Sequence, residues 1–416
     1  MDLVEIYKKW DSINLIYRIA GGLIIGVILA LIVPGIPYIS LLGSIFLWAL
    51  KAVAPFLVLF VVISSLAKSG HGLGGRFKLV IFLYLTSTII AAIVAVVFSF
   101  AFPAHLTFTI EPSPDPYTDD IAELFSLILS KIVCNPIDAL LNSNYLGVLF
   151  WAVIIGLFLK KMASDSTKTL CEDGANILMV VIKIVINFAP FGIMGLLYDT
   201  VSTNGINVFV DYGHLILLLA ASMLTVAFVT NPILVYLHTR RNPYPLLFQC
   251  LRVSGVTAFF TRSSAANIPV NLALCEKMKL DKDFYMVSIP LGATINMDGA
   301  AITITVMSLA AAFTLGINVP IFMAILLCIV ASLSACGAAG VNGGSLLLIP
   351  LACSLLGIGA DISMEVVAIG FIIGVILDSM ETALNSSSDV LFTATAEIYD
   401  KRKKMKESEI SNENEN

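Results

Sequence analysis

Leu246 to Phe260, then Thr261-Arg262-Ser263-Ser264, then Ile268 to Glu276 form two apolar arms around a polar tip, and this stretch decides the fold. At 1.5 Å per residue the arms reach only about 22 Å and about 14 Å as helices, short of a hydrocarbon core of about 30 Å. Neither arm crosses a bilayer; together they read as a re-entrant hairpin. The form recurs between Pro320 and Gly357, where two short apolar arms flank Ala335-Cys336-Gly337-Ala338-Ala339-Gly340-Val341-Asn342-Gly343-Gly344-Ser345. Glycine permits open, carbonyl-exposing backbone at that tip. Each hairpin precedes a full-length apolar helix, which makes an inverted repeat, and broken helices meeting near the midplane point to a transporter's binding site. Loose loops between ordinary helices are the competing reading, but non-helical backbone facing lipid leaves polar groups unsatisfied.

Working outward, the whole chain reads as membrane protein. Of 416 residues, 58% are hydrophobic and 13% charged, and the mean hydropathy of +0.95 excludes an ordinary soluble domain. Further apolar stretches fall near 13–33, 41–67, 78–102, 121–160, 175–199, 213–238, 284–315 and 362–396. The first follows Lys8, Lys9 and Arg18 without a small-residue cleavage site, so it reads as a membrane helix and not as a cleavable signal. The seven cysteines form no CxxC pair and read as buried thiols, not as zinc ligands or disulfides. A net charge of -5 with no gathered basic surface excludes nucleic acid as a partner. The expected class is an all-α polytopic membrane protein of eight transmembrane helices plus two re-entrant hairpins.

Lysine and arginine give the orientation. With a cytoplasmic N-terminus and alternating connections, Lys68, Arg76, Lys78, Lys160, Lys161, Lys168, Arg240, Arg241, Lys277, Lys279, Lys282 and the cluster Lys401 to Lys406 all lie inside. The 103–120 connection carries Glu111, Asp115, Asp119 and Asp120 and suits the outside. Both termini are expected in the cytoplasm. Residues 399–416 read as a positive-inside anchor with a disordered polar end, a lipid-binding role being the minor reading.

Asp378, Glu381, Thr382, Asn385 and Asp389 lie within an otherwise apolar helix from Val366 to Phe392. Steps of about 3, 4, 7 and 11 residues at roughly 100° each return to one direction, so all five share a face. Intramembrane carboxylates are costly enough that a functional site is the default; simple neutralisation by Arg252 or Arg262 is the bland alternative. In the preceding helix, Gly292 and Gly299 flank Asn296, Met297 and Asp298 and invite local unwinding. Freed carbonyls plus a carboxylate are hard oxygen ligands suited to sodium. Tyr84, Ser87 and Thr88 share a face of the third helix, although such hydroxyls commonly bond to backbone or to neighbouring helices.

Thr261-Arg262-Ser263-Ser264, Pro290-Leu-Gly-Ala-Thr-Ile-Asn-Met-Asp-Gly299 and the series Asp378, Thr382, Asn385, Asp389 resemble the dicarboxylate/amino acid:cation symporters, the glutamate-transporter fold; the archaeal member of that fold is itself a worked example of the inverted-repeat rule. Residues 261–269 and 381–387 are similar to the serine/threonine:sodium symporter branch. The resemblance covers nearly the whole chain. It implies a bacterial inner-membrane homotrimer, held in lipid, that imports L-serine and L-threonine with Na⁺ by an elevator movement. Residues 1–240 would supply six helices, mostly scaffold, with the third and sixth in the moving part, and 241–398 the transport core. Asp378 would bind the substrate ammonium, with Thr382 alongside, while Asn385 and backbone at Ser263, Ser264 and Val341 would hold its carboxylate. Asp389 with carbonyls of Gly292, Asn296 and Asn385 would make one sodium site. Thr294, Met297 and carbonyls near Ala335, Cys336 and Ala338 would make a second, and Tyr84, Ser87, Thr88, Asn296 and Asp298 a third.

The departures bear on substrate. Members taking acidic substrates place an arginine where Glu381 stands and a threonine where Ala300 stands, so this chain is expected to reject aspartate and glutamate. Repulsion between close charges costs about 4 kcal/mol at an effective dielectric of about 20. Two readings of Glu381 stand open: it accepts a bond from a substrate hydroxyl, or it pairs with Arg262 and fills space. Ala265, Ala338 and Asn342 replace the serine, threonine and proline common in relatives.

Other classes have less support. Asp199 and the Gly357-Ile-Gly-Ala-Asp361 run suggest an intramembrane aspartyl protease, but both sit at expected helix ends and the second has one residue too many for GxGD. Gly70 to Gly75 matches GxGxxG with no strand before it and reads as a cytoplasmic turn. A passive channel shares the polar midplane and differs in being unable to concentrate its cargo. No P-loop, HExxH or nucleophile elbow supports an enzyme.

Overall fold

The computed structural model describes residues 13, 15–68, 75–108, 126, 129–130, 132–142, 144–205, 208–338 and 343–414, and every regular element among them is helical. In chain order these are α1 (Leu15–Ile32), α2 (Pro37–Lys68), α3 (Gly75–Ala101), α4 (Pro136–Leu141), α5 (Tyr145–Met162), α6 (Asp165–Asn187), α7 (Ala189–Asn204) and α8 (Val208–Thr225). A π segment, Val226–Thr230, joins α8 to α9 (Asn231–Thr239). The first hairpin comprises α10 (Tyr244–Cys250), a second π segment (Leu251–Gly255), α11 (Val256–Thr261) and α12 (Ser264–Lys277). Then come α13 (Lys282–Ile295) and α14 (Asp298–Thr314). The second hairpin is α15 (Ile321–Ala335), a 3-10 turn (Gly344–Leu348) and α16 (Ile349–Leu355), and α17 (Ala360–Asn414) closes the chain.

Among the described residues, four spans are long and apolar enough to cross a membrane, or up to six if each of two bent pairs counts as one. α1 and α5, 18 residues each, form in two more of the apolar stretches of the sequence. Both hairpins are present as short arms. The first turns at Arg262, whose φ of 52° reverses the chain, and Ser263 then caps α12 by accepting from the Ala266 amide. In the second, Gly343 takes a left-handed φ of 69° that favours glycine.

Three expected spans differ in detail. The 121–160 stretch is interrupted: Pro136 opens α4 behind the Asn135 cap, and Asn144 caps α5 anew. The 175–199 stretch bends by 54° between α6 and α7, where Pro190 removes a helical donor. The last helix begins earlier than Val366 and bends by 85° between Gly374 and Ile376. It then stays helical through the charged tail to Asn414, where composition suggests disorder.

Small residues set the packing of the first part. A Cβ on Gly22 of α1 would lie 2.2 Å from the Pro190 carbonyl of α7, so only glycine allows these helices their separation. One apolar core joins α1, α2, α5 and α7 to α14, α15, α16 and α17. A second unites α3, α9, α12 and α13 with the C-terminal half of α17. Polar residues of α17 lie between the two.

Candidate substrate and cation site

All five polar residues of the α17 face are buried: Asp378, Glu381, Thr382, Asn385 and Asp389. They look towards the break between α13 and α14, where unwinding is confined to Asn296 and Met297, whose dihedrals leave the helical region. Side chains take up the exposed backbone there. Asn385 Oδ1 accepts from the Gly299 amide at 2.7 Å, and Thr88 Oγ1 accepts from the Met297 amide at 3.3 Å.

The hairpin tips converge on Asp378. Arg262 Nε and Nη2 both lie 2.6 Å from Asp378 Oδ2, and the Gly343 amide donates to Oδ1 at 3.1 Å. The residue expected to hold a substrate ammonium therefore carries a guanidinium from one tip and an amide from the other. Thr382 bonds back to the Asp378 carbonyl, and Ser264 is buried beside the first tip. Val341 and Asn342 lie outside the described residues. A cavity of only ≈ 10 Å³ remains between Thr303, Ser345, Asp378 and Glu381, scarcely a water's worth of space.

Arg262 is not the hydrogen-bond partner of Glu381. Thr303 of α14 donates to Glu381 Oε2 at 2.7 Å and Ser345 of the second hairpin donates to the same oxygen at 2.9 Å. Gly299 makes room, since a Cβ there would lie 2.8 Å from Glu381 Cα. Of the two readings of Glu381, the space-filling partner of Arg262 is not what the geometry presents.

The residues expected to ligate cations lie in three places. Asn296 Nδ2 donates to Asp389 Oδ1 at 2.9 Å, to Ser388 Oγ at 2.7 Å and to the Asn385 carbonyl at 3.2 Å. Asp389 Oδ2 is buried with no hydrogen-bond partner, an orphaned anionic oxygen that a cation fits. Gly292 presses against this carboxylate, its Cβ position lying 2.7 Å from Oδ1. The second group is looser. Cys336 Sγ reaches the Ile295 carbonyl at 3.7 Å, which brings the tip containing Ala335 and Ala338 to the end of α13, where Thr294 bonds to its own helix and Met297 receives a bond from Asn385.

Ser87 and Thr88 donate to Asp298 Oδ1 at 2.8 and 3.3 Å, and Ser87 also reaches Asn296 Oδ1 at 3.3 Å. Tyr84 stands apart from Asp298: its hydroxyl bonds to the Ser288 and Asp389 carbonyls and to Thr393. On that helix face Tyr84 bonds to backbone and a neighbouring helix, while Ser87 and Thr88 stand on the Asp298 carboxylate.

Several polar partners escaped sequence reasoning. Asn231, just after the first π segment, donates to Asp298 Oδ2 at 2.9 Å. Asn267 and Asn271 of the first hairpin bond to Ser386, and Asn267 also bonds to the Ser254 carbonyl within the second π segment. Asn231-Pro232 inside an apolar run, and two asparagines four apart, were the available signals. Asp199 and Asp361 line a different cavity of ≈ 160 Å³ with Glu365, and Asp199 accepts from Ser40 at 2.9 Å.

Comparison with known proteins agrees with this arrangement. The serine/threonine transporter SstT of Bifidobacterium adolescentis is 53% identical over 390 residues, covering 94% of this chain and 91% of that protein. Residues 15–398 match the sodium:dicarboxylate symporter family. The match spans both hairpins, the broken α13–α14 span and the polar face of α17, and the chain belongs to the sodium:dicarboxylate symporter family.

Proposed function

We propose that this protein imports L-serine and L-threonine together with Na⁺ across the bacterial inner membrane, with both termini in the cytoplasm. That it is a polytopic transporter and not an enzyme follows from its family; the substrates, ion sites and movement are our reading. The observation that carries it is Glu381, a buried carboxylate held by Thr303 and Ser345 where acidic-substrate members carry arginine.

In this reading the substrate ammonium takes the place of Arg262 on Asp378. Its carboxylate receives bonds from Asn385 Nδ2, which otherwise meets only the weak acceptor Met297 Sδ at 3.5 Å, and from backbone at Ser263, Ser264 and Val341. Its hydroxyl donates to Glu381 Oε1, because Oε2 already accepts two bonds. An aspartate side chain would meet the charge of Glu381 and be refused. Sodium binds at Asp389, at the α13 end with the second tip, and at Asp298. Each charge entering with the substrate adds about 2.3 kcal/mol per 100 mV of membrane potential.

Residues 241–398 with the third and sixth helices move as a unit against a trimeric scaffold within the lipid, residues 399–416 remaining cytoplasmic. The closed contacts of both tips on Asp378 support gating by hairpins. The deciding experiment is uptake of labelled serine into proteoliposomes under an inward sodium gradient. Accumulation blocked by threonine and not by aspartate is expected; block by aspartate overturns the substrate assignment, and uptake that only equilibrates favours a passive pathway.

A further inference from the structure

The second hairpin touches the polar face of α17 through two different groups: the Gly343 amide on Asp378 and the Ser345 hydroxyl on Glu381. Ser345, 2% exposed, lies in the 3-10 turn Gly344–Leu348 that follows the left-handed Gly343. That turn is confined on two sides. A Cβ on Gly344 would lie 2.5 Å from the Ala338 carbonyl, and a Cβ on Gly370 of α17 would lie 2.7 Å from Leu346 Cδ2. The backbone carrying Ser345 is thus pressed between its own hairpin and α17. Thr303 reaches the same Glu381 Oε2 from α14, a helix outside the hairpin, and neither donor touches Oε1.

We propose that Ser345 is a positioning residue that makes the site select β-hydroxy amino acids over alanine: by holding Glu381 Oε2, it turns Oε1 towards the substrate hydroxyl. This rests on the proposed role of Glu381 as acceptor for that hydroxyl, and goes beyond it in placing the choice on a residue of the hairpin. The terminal torsion of a glutamate is broad and soft, so a carboxylate held by one donor can turn. Two charge-assisted donors from different elements fix its plane. Alanine brings no donor, and Oε1 then stays unsatisfied beside a cavity of only ≈ 10 Å³. An unmet buried acceptor is what makes a hydroxyl-reading site reject the analogue without the hydroxyl. A cysteine thiol, a weak donor, meets the need less well than serine or threonine. Because Ser345 rides on the second hairpin, the side chain is fully read only with that hairpin seated on α17.

The test is isothermal titration of the purified full-length protein with L-serine and with L-alanine at saturating sodium, read as the ratio of the two affinities. The wild type is expected to favour serine by about a hundredfold or more, and Glu381→Ala to bring the ratio close to one. Ser345→Ala, which deletes one hydroxyl from a buried turn, lowers the ratio by about tenfold, the worth of one hydrogen bond to a charged group. Thr303→Val lowers it from the α14 side. A ratio near one in the wild type, or one that survives Glu381→Ala, removes the role of Glu381 and this inference with it. A ratio lost in Glu381→Ala but kept in Ser345→Ala leaves Glu381 in its role and overturns the inference alone. So does an equal weakening of serine and alanine in Ser345→Ala, which marks Ser345 as a structural contact only.

Discussion

Arg262 at the tip of the first hairpin and Asp378 in α17, 116 residues apart, form a buried ion pair with both guanidinium contacts at 2.6 Å. The arginine sits in a left-handed turn, so backbone and charge are both committed to this contact. In the proposed mechanism a substrate ammonium has to compete with it.

Arg262→Ala is therefore expected to lower the KM for serine, because the competing cation is gone. It also leaves Asp378 uncompensated, a loss of about 3 to 5 kcal/mol for one partner of a buried pair. Thermal unfolding with and without serine checks this: the variant melts lower, and serine restores more of its stability than it adds to the wild type. Asp378→Asn abolishes concentrative uptake.

Glu381→Gln keeps an acceptor for Thr303 and Ser345 and removes the charge. Aspartate, expected to be inert against the wild type, should become a competitor of serine uptake. Relief of about 4 kcal/mol corresponds to a gain of up to about a thousandfold in aspartate affinity, and competition curves measure it directly. Aspartate that remains inert against Glu381→Gln would move discrimination elsewhere.

Asp298→Ala is expected to lower apparent sodium affinity or stoichiometry. Asn231→Ala, which removes only the bond to Asp298 Oδ2, gives a smaller shift in the same direction. Sodium dependence of serine uptake is the readout, and an unchanged curve for Asp298→Ala would sink the assignment.

Gly292→Ala tests the Asp389 group from the other side. The added methyl would stand 2.7 Å from Asp389 Oδ1 and 2.9 Å from the Tyr84 hydroxyl, so the carboxylate has to shift. Half-saturation by sodium rises while serine affinity at saturating sodium changes little.

At the ends of the spans, Arg76 donates to Asp281 at 2.8 Å and lies 3.6 Å from Asp400. The hydrogen bond from Arg76 holds the Asp281 carboxyl below its ordinary range. A lowered folded-state value gives stability that is present above the ordinary carboxylate range and is lost as pH falls through the lowered value. Arg76→Gln should melt slightly below wild type near neutral pH, by under about 1 kcal/mol for so exposed a pair, with the gap closing in acid.

Much of this was readable in the sequence because hydrocarbon allows few solutions. Arms too short to span left a hairpin as the only form that satisfies their backbone, and five polar residues at helical spacing had to share one protected face. What the sequence does not display is long-range pairing among chemically similar groups. Arg262 had both Asp378 and Glu381 within its possible reach, and only the fold separates them, by placing Thr303 and Ser345 on Glu381. Asn231, Asn267 and Ser386 look like ordinary small polar residues of membrane helices until α17 is laid against them. The bends at Phe188 and Val375 were hidden for a related reason: hydropathy records that a stretch is apolar and carries no record of its direction.

Asp389 Oδ2, buried and without a donor, gives coupling a meaning in terms of solubility. In the proposed mechanism, a transport core that started across hydrocarbon with that oxygen bare would take an unsolvated charge with it, whereas one carrying sodium would present a neutral, satisfied pair. Leakage of substrate without ion would then be opposed by the same rule that keeps salt out of oil.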